Sequence, residues 1–401
     1  MKEKETVYPV QALGERKRMA NLELLRCVAM MMVVVLHYLG KGGLLADLAG
    51  ESLNVPELAA WLLEAFCIVA VNVYMFLSGY FLSGSSFRLS RLIQLWMQVW
   101  LYSVALGLAG ALSGVMRGTE LDLHYLLTLI FPILMGHYWF MTAYLFLYLM
   151  LPLAGMAVER MTKRQLQVTL GLLLLAFCVI KSVLPLRLEM DGQGYDCLWY
   201  LCVFLTAAYV RKFGISILDK KWTGVILYAG GCLGVFAGTL ALRQVYLRTG
   251  SLERMLTMFL EYNHVLPFLA AVGLFGIFRK VQVKGKAAAA INRIAPYTLG
   301  VYLLHENFGL RYSWQDWLGA DRAASAMAEG GWSGVGSLLF WTLAAVAAVF
   351  LCGILADMAR RWIFHLLHRG LSCLSPYRRL VERIEGVDAE FRRREKDAGC
   401  L

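Results

Sequence analysis

The sequence predicts an all-α polytopic membrane protein with about ten transmembrane helices and both termini in the cytosol. Hydrophobic residues make up 59% of the 401 residues and charged residues 17%, whereas a soluble globular domain carries about a quarter charged residues. The apolar residues are grouped into windows of about 17–25 residues, the length that a helix needs to cross a bilayer. Lysines and arginines are concentrated in alternate loops, which the positive-inside rule assigns to the cytosol.

Ten apolar windows follow one another along the chain, and each is predicted to be a transmembrane helix. The run 125–135 is too short to cross a bilayer, so a re-entrant or interfacial segment is expected there, before the fourth helix. The ten windows are 22–40, 60–82, 92–116, 137–157, 165–185, 195–210, 222–242, 257–279, 288–310 and 335–367.

The loops on the two predicted sides of the membrane differ in charge. Ten spans put both termini on one side, and that side carries most of the basic residues, which makes it cytosolic. The formal net charge of +11 therefore reflects topology and attraction to a lipid surface, and no nucleic-acid partner is expected. The cytosolic loops include Arg88, Arg91, Arg160, Lys163, Arg164, Arg211, Lys212, Lys220, Lys221, Arg279, Lys280, Lys284, Lys286 and Arg293, and the opposite loops carry Asp47, Glu51, Glu57, Glu189, Asp191, Asp196, Asp316, Asp321 and Glu329.

Three regions follow from this pattern. Residues 1–20 are expected to form a cytosolic basic tail, since this stretch is polar for too long to be a signal peptide. Residues 21–367 form the ten-helix transmembrane domain, and residues 368–401 form a cytosolic basic tail, most simply a solvated or interfacial helix. The nine cysteines show no CxxC pair and no metal-ligand spacing, so no metal site is expected.

The first apolar segment, NLELLRCVAMMMVVVLHYL, carries ionisable residues inside a predicted membrane span. Such residues cost roughly 2.5–3.5 kcal/mol each at mid-bilayer and mark function by default. Arg26 and His37 are eleven residues apart, close to three full turns, so they share one helix face and lie about 16 Å apart. The predicted orientation puts Arg26 near the cytosolic surface and His37 near the outer surface.

Other polar residues are predicted near the depth of His37 on different helices, as a site inside a helix bundle requires. The alternative is that histidines and aromatic residues simply prefer the membrane interface. His305-Glu306, followed by Arg311, brings a base, an acid and a cation within two turns, which is more than an interfacial belt requires. The residues of this group are Glu64, His137, His305, Glu306 and Arg311, with Asn72 at mid-span and Trp139 beside His137.

Arg88 and Arg91 lie three residues apart at the cytosolic start of the third span, and therefore on one helix face. By spacing alone, ordinary cytosolic anchoring is the simpler interpretation of this pair.

Five short motifs occur in a fixed order along the chain: Arg26-x10-His37, MFLSGYF, Arg88-x-x-Arg91, HYWF and LGVYLLHE. With these motifs, the chain from about residue 20 to residue 365 resembles the membrane-bound acyltransferase-3 family. The resemblance implies a ten-helix fold with both termini inside and O-acylation of cell-surface polysaccharides, lipopolysaccharide, peptidoglycan or small molecules. One departure from the family pattern follows Arg91, where Leu92-Ile93-Gln94 stand in place of a proline that relatives often carry.

The resemblance also implies roles for individual residues. The family's Arg-x10-His pair corresponds to Arg26 and His37, and its paired arginines to Arg88 and Arg91, which are associated with donor binding and catalysis. A cationic ring of Arg26, Arg88 and Arg91 is suited to the phosphates of a cytosolic acyl-CoA, with acetyl-CoA as the expected donor. The pantetheine arm is about as long as the Arg26–His37 separation estimated from the helix rise. The acyl-CoA is a substrate, and no tightly bound cofactor is expected.

At the outer end, a neutral His37 is expected to act as general base on an acceptor hydroxyl. A covalent acyl-histidine relay stays open as an alternative. The predicted catalytic residues are His37, Arg26, Glu306 and His305. Glu306 or Glu64 is expected to orient an imidazole and Arg311 or Asn72 to stabilise the oxyanion, and the possible acceptor and oxyanion site comprises Glu64, Asn72, His137, Trp139 and Arg311.

Two other functions suit a chain with ten helices and buried charges. A secondary transporter or flippase of a sugar or lipid-linked substrate is one, although the sequence has no internal repeat and no matched pair of broken helices. A non-catalytic sensor or assembly subunit is the other. The enzyme interpretation predicts a bacterial-type plasma membrane location and three partners: acyl-CoA, a surface carbohydrate or lipid-linked sugar acceptor, and the lipid bilayer.

Overall fold

A computed structural model describes residues 18–50, 52–113, 122–184 and 191–398, and every regular element in these ranges is helical. The predicted all-α class is therefore confirmed. Most of the predicted N-terminal tail (residues 1–17) and the predicted outer-loop acids Glu51 and Glu189 lie outside the described residues. The helices are α1 (Ala20–Lys41), α2 (Val55–Cys67), α3 (Ala70–Leu82), α4 (Leu89–Ser113), α5 (Leu123–Ile130), α6 (Trp139–Arg160), α7 (Lys163–Leu174), α8 (Ile180–Val183), α9 (Cys197–Phe213), α10 (Ser216–Asp219), α11 (Thr223–Thr249), α12 (Val265–Lys280), α13 (Gly285–Ile294), α14 (Thr298–His305), α15 (Trp314–Trp317), α16 (Ala320–Glu329), α17 (Gly331–Leu371) and α18 (Ser375–Ala398).

Within the described ranges, eight helical segments are long and apolar enough to cross a membrane. They coincide with eight of the ten predicted windows, so the chain is a multi-pass membrane protein. Some of these segments combine several helices, such as α7 and α8, which the π-helical turn Leu175–Val179 joins into one span. The eight segments are Ala20–Lys41, Val55–Leu82, Leu89–Leu112, Trp139–Arg160, Lys163–Val183, Thr223–Thr249, Glu253–Lys280 and Gly331–Leu371.

The two remaining windows have a different form. The window 195–210 corresponds to α9, a helix of only 17 residues whose side chains are mostly buried against other helices. The window 288–310 is divided into α13, a 3-10 turn at Ala295–Tyr297 that contains Pro296, and the eight-residue α14. Because α14 is short, its C-terminal residue, His305, ends inside the bundle and not at its surface.

Helix α1 lies at the centre of the bundle. It packs against α2, α3, α12, α13, α14 and α17. Its most apolar stretch is 67% buried inside the protein, whereas the corresponding stretch of α11 is 22% buried. The side chains of Leu22, Leu25, Val34 and Leu39 are fully enclosed. A central helix that carries ionisable residues is the arrangement expected of an internal site, because the protein and not the lipid surrounds those residues.

The region 125–135 contains no independent span. The short helix α5 is capped by the Asp122 side chain, which accepts a hydrogen bond from the Tyr125 amide at 2.8 Å. Turns then lead from Phe131 directly to His137 and the start of α6.

Helix α17 has 41 residues, a length of roughly 60 Å at the α-helical rise, which exceeds the thickness of a bilayer. The C-terminal segment after it is also helical and forms α18. Helix α18 packs against the start of α4, where the rings of Phe87 and Phe391 lie 5.0 Å apart.

Candidate active site

His37 near the end of α1 and His305 at the end of α14 lie in direct contact. The distance between His37 Nδ1 and His305 Nε2 is 2.9 Å, and the Glu306 carboxylate lies 3.3 Å from His37 Nδ1. His305 and Glu306 are 2% and 5% exposed. Three of the predicted catalytic residues therefore meet in one cluster at the same end of the bundle.

The hydrogen bonds of the two imidazoles fix which nitrogens carry protons. His305 Nδ1 lies 2.6 Å from the Val301 carbonyl oxygen, and because a carbonyl can only accept, Nδ1 is the protonated nitrogen. His305 Nε2 in the neutral ring is then an acceptor, so His37 Nδ1 donates to it. The remaining nitrogen of His37, Nε2, carries a lone pair, as a general base requires.

Lys41, which was not predicted from the sequence, completes the cluster. Its ammonium group forms an ion pair with Glu306 Oε1 and lies 5.5 Å from the centre of the Tyr312 ring. Lys41 follows His37 by four residues, so the helical i,i+4 spacing could have identified it. Lys41 and Glu306 therefore form an ion pair beside His37.

Gln315 is a second residue that the sequence analysis missed. Its side-chain amide donates to the carbonyl oxygens of His37 at 3.2 Å and Arg311 at 2.8 Å, and the residue is 1% exposed. It thereby ties the end of α1 to the loop that follows His305. No motif pointed to Gln315, because its role depends on contacts between distant parts of the chain.

A narrow and largely apolar cavity borders His37. Its volume is only about 30 Å³, so the cavity suits a thin chain better than a bulky ring. The predicted site residue Trp139 forms part of its wall. The lining residues are Met30, Val33, Leu36, His37, Val71, Tyr74, Trp139, Phe140, Tyr262, Leu299 and Tyr302.

His137 and Arg311 lie next to the cluster. The His137 ring stacks between Tyr138 and Phe308, at 4.1 and 4.0 Å. Its Nε2 accepts a hydrogen bond from the Phe308 amide at 3.1 Å, which leaves Nδ1 to donate to Ser103 Oγ at 3.2 Å. Both ring nitrogens of His137 are therefore engaged. The buried Nε of Arg311, by contrast, has no hydrogen-bond partner among the described residues.

Asn72 and Glu64, two residues of the predicted acceptor site, differ in whether their polar atoms have hydrogen-bond partners. The Asn72 amide donates to the Tyr262 carbonyl oxygen at 2.7 Å and accepts from the Trp199 indole at 2.9 Å, so both of its polar atoms are used. Glu64 Oε2 is buried and has no hydrogen-bond partner in the described part of the chain.

A second buried charged cluster lies next to Tyr262, a residue of the cavity wall. The Lys181 ammonium lies 2.5 Å from Asp191 and 2.6 Å from Glu261, and it donates to Asn263 at 2.7 Å. Burial opposes the ionisation of Asp191, but the hydrogen bonds from Lys181 and Asn263 outweigh it and hold the pKa of this carboxyl below its ordinary value. The cluster therefore fixes the segment that carries Tyr262.

The three predicted donor-binding arginines lie away from the histidines. Arg26 forms an ion pair with Glu23 at 2.8 Å and lies 5.9 Å from the centre of the Phe81 ring. Arg88 and Arg91 flank the start of α4 with exposed side chains. In the described residues no hydrogen bond or ion pair joins Arg26 to His37, and the helical rise separates them by about 16 Å.

His37, His305 and Glu306 also have the composition of a metal site, since their ligand atoms lie within 4.8 Å of one another. Their arrangement fits proton sharing better. The lone pair of His305 Nε2 already accepts from His37, and the Lys41 ammonium occupies the Glu306 oxygen, whereas metal ligands need free lone pairs.

Comparison with known proteins relates most of the chain to a protein family. The family model described as an acyltransferase domain, acyltransferase 3, matches residues 19–357, which is most of the chain. No curated protein and no solved structure matches the chain.

Proposed function

Because the chain belongs to the acyltransferase 3 family and is therefore a multi-pass membrane acyltransferase, we propose that it moves an acyl group from cytosolic acyl-CoA to a hydroxyl group of a cell-surface or lipid-linked carbohydrate. In this proposal His37 is the general base. The acyl group is acetyl, the membrane is a bacterial-type plasma membrane, and both termini lie in the cytosol, as the loop charges favour.

One observation carries the assignment of His37. The hydrogen-bond chain from His37 Nδ1 to His305 Nε2, and from His305 Nδ1 to the Val301 carbonyl, leaves the lone pair of His37 Nε2 free. His37 is also a wall residue of the apolar cavity. A neutral imidazole whose other nitrogen is held by a hydrogen bond is the usual form of a histidine base.

The transfer then proceeds in two proton movements. His37 Nε2 takes the proton of the acceptor hydroxyl while the hydroxyl oxygen attacks the thioester carbonyl carbon. The carbon–sulfur bond breaks, and the leaving thiolate takes the proton from the imidazolium, which gives an ester and free CoA. Glu306, 3.3 Å from His37 Nδ1, stabilises the imidazolium during the reaction.

Arg26, Arg88 and Arg91 are assigned to the donor. Guanidinium groups bind phosphates with paired hydrogen bonds, and the exposed side chains of Arg88 and Arg91 are accessible to a soluble ligand. The pantetheine arm would follow α1 from Arg26 toward His37. The thinness of the cavity beside His37 favours a chain-like group there.

The remaining predicted residues are assigned to the acceptor side. Arg311 is favoured over Asn72 as the oxyanion donor, because its buried Nε–H lacks a partner among the described residues whereas the Asn72 side-chain oxygen and nitrogen each have one. Trp139 lies in the wall of the narrow cavity beside His37, where it would pack against the part of the acceptor that carries the hydroxyl. His137 supports the loop that carries Phe308, and Glu64 supplies a buried carboxyl.

A covalent relay uses the same lone pair. His37 Nε2 would attack the thioester itself and form an acyl-imidazole, which the acceptor hydroxyl would then open. Rapid mixing with acyl-CoA in the absence of acceptor distinguishes the routes, because only the relay releases one equivalent of CoA in a burst.

The direct test compares His37→Gln with the wild-type protein in cells and after purification. We expect acylation of surface glycans, measured by mass spectrometry, and CoA release in detergent to fall by about 100-fold or more. His365→Gln is the matched control, because His365 is exposed on α17 outside the cluster. Unchanged glycan acylation in a folded His37→Gln protein would refute the assignment.

A further inference from the structure

The start of helix α4 is an unusual place for two arginines. Arg88 is the residue before α4, and its carbonyl oxygen accepts the first hydrogen bond of the helix, from Leu92, at 3.2 Å. Arg88 and Arg91 therefore occupy the N-cap and N3 positions, which are normally taken by Ser, Thr, Asp or Asn and by Glu or Gln. Neither arginine can accept a hydrogen bond from the free amides, and both charges oppose the helix dipole.

The missing cap comes from the C-terminal helix. Asp388 of α18 accepts hydrogen bonds from Ser90 Oγ at 2.5 Å and from the Ser90 amide at 3.3 Å. Ser90 lies between the two arginines, and Asp388 is 3% exposed. A carboxylate at the N-terminus of a helix satisfies a free amide and interacts favourably with the dipole.

Two aromatic residues hold the same segment from its other sides. Phe391, one turn after Asp388, packs its ring 5.0 Å from that of Phe87. On α6, the Tyr148 hydroxyl accepts from the Arg88 amide and donates to the Arg88 carbonyl, both at 3.2 Å. The backbone is thus fixed by α6 and α18 while the side chains of Arg88 and Arg91 stay exposed.

We infer that Asp388 of α18 is a positioning residue that caps α4 and so holds Arg88 and Arg91 in the geometry that binds the acyl donor. The inference rests on the proposed donor role of these arginines. The C-terminal helix is then a working part of the donor site and not only a solvated or interfacial tail.

The test measures the KM for acetyl-CoA and kcat of the purified full-length protein. Asp388→Ala should raise KM about 3- to 10-fold, the effect of losing one helix cap, with kcat changed less than about twofold. Asp388→Asn should stay within about twofold of the wild-type KM, because an asparagine oxygen caps as well as aspartate does. Glu390→Ala is the control, since this exposed acid lies on the same helix.

The direction of the change in KM distinguishes a capping role of Asp388 from a simple effect of its charge. If Asp388 acted only through its charge, it would repel the CoA phosphates, and both Asp388→Ala and Asp388→Asn would lower KM. A lowered or unchanged KM in folded Asp388→Ala would therefore overturn the inference. If Asp388→Ala does not fold, Phe391→Ala loosens the same contact without altering a charge, and an unchanged KM there would overturn it equally.

Arg88→Ala and Arg91→Ala distinguish this failure from a failure of the proposed function. If they raise KM while Asp388→Ala does not, only the positioning role is wrong. If they leave KM unchanged as well, the donor assignment itself is wrong.

Discussion

At the residue scale, one carbonyl group determines which nitrogens carry protons in the cluster around His37. The Val301 oxygen accepts from His305 Nδ1, and this fixes the proton on each imidazole in turn. Val301 precedes His305 by one helical turn, so the fixed tautomer is a local property of α14. Lys41 adds a cation that pairs with Glu306 Oε1, the same oxygen that lies near His37 Nδ1. In the proposed mechanism the reactivity of His37 thus depends on its contacts with His305 and Glu306.

Replacing His305 tests this dependence. His305→Leu removes the acceptor for His37 Nδ1–H, and we expect kcat to fall about 10- to 100-fold with the KM for acetyl-CoA nearly unchanged. His305→Gln places an amide oxygen near the same point and should recover part of kcat. Steady-state kinetics of CoA release measure both values. An equal loss of kcat in the two variants, or a change in KM alone, would contradict the hydrogen-bond chain.

At the element scale, the position of His305 depends on close packing between α14 and α17. A Cβ atom added to Gly353 of α17 would lie 2.4 Å from the Cα atom of Val301, a backbone atom that cannot move aside by rotation. Gly300 meets Asp357 of α17 in the same way, at 2.3 Å from its Cβ atom. Small residues that allow close approach are typical of packed membrane helices. The contact therefore determines how far α14 stands from α17.

Gly353→Ala should displace α14 and with it His305. We expect the thermal unfolding temperature in detergent to fall, with a loss of about 1–3 kcal/mol, and acyl transfer to fall with it. Gly336→Ala on the same helix is the control, because no atom of the described residues lies within 4 Å of its added Cβ. That variant should be neutral or slightly stabilising, since alanine favours helix more than glycine. If both variants behave alike, the close contact does not limit the site.

At the scale of the whole molecule, the proposed chemistry requires a fixed orientation in the membrane. Arg26 and His37 lie toward opposite ends of α1, so the proposal requires Arg26 on the donor side of the membrane and His37 on the acceptor side. Loop charges favour a cytosolic location for Arg26 and for the junction between α17 and α18. That junction contains Cys373, which is exposed.

Cysteine labelling tests the orientation. In a Cys400→Ser variant, a membrane-impermeant maleimide should label Cys373 in inverted vesicles and leave it unlabelled in intact cells. Asp321→Cys, combined with Cys373→Ser and Cys400→Ser, should give the opposite pattern, because Asp321 is exposed in a predicted outer loop. Labelling of Cys373 from outside the cell would show the opposite orientation, in which Arg26 lies on the side of the membrane away from cytosolic acyl-CoA.

Much of the fold could be predicted from the sequence because membrane helices are largely specified by local composition. Eight apolar windows coincide with the spanning helices, since only a helix satisfies its own backbone in lipid. The windows 195–210 and 288–310 are also helical, as α9 and as the pair α13 and α14, but their form differs from that of the other eight. Apolarity alone does not show that a short helix such as α9 is enclosed by its neighbours, or that a window is divided by a turn such as Ala295–Tyr297.

The sequence by itself determined the all-helical membrane fold and the spacing of Arg26 and His37 on one helix face, because both follow from local periodicity. The sequence also indicated His37, His305 and Glu306 as candidate catalytic residues. Only the tertiary structure decided that these three are in contact, that Lys41 and Gln315 join them, and that Asp388 caps α4. These contacts join residues up to 298 positions apart, and such pairs are set by how helices pack, which no local pattern encodes.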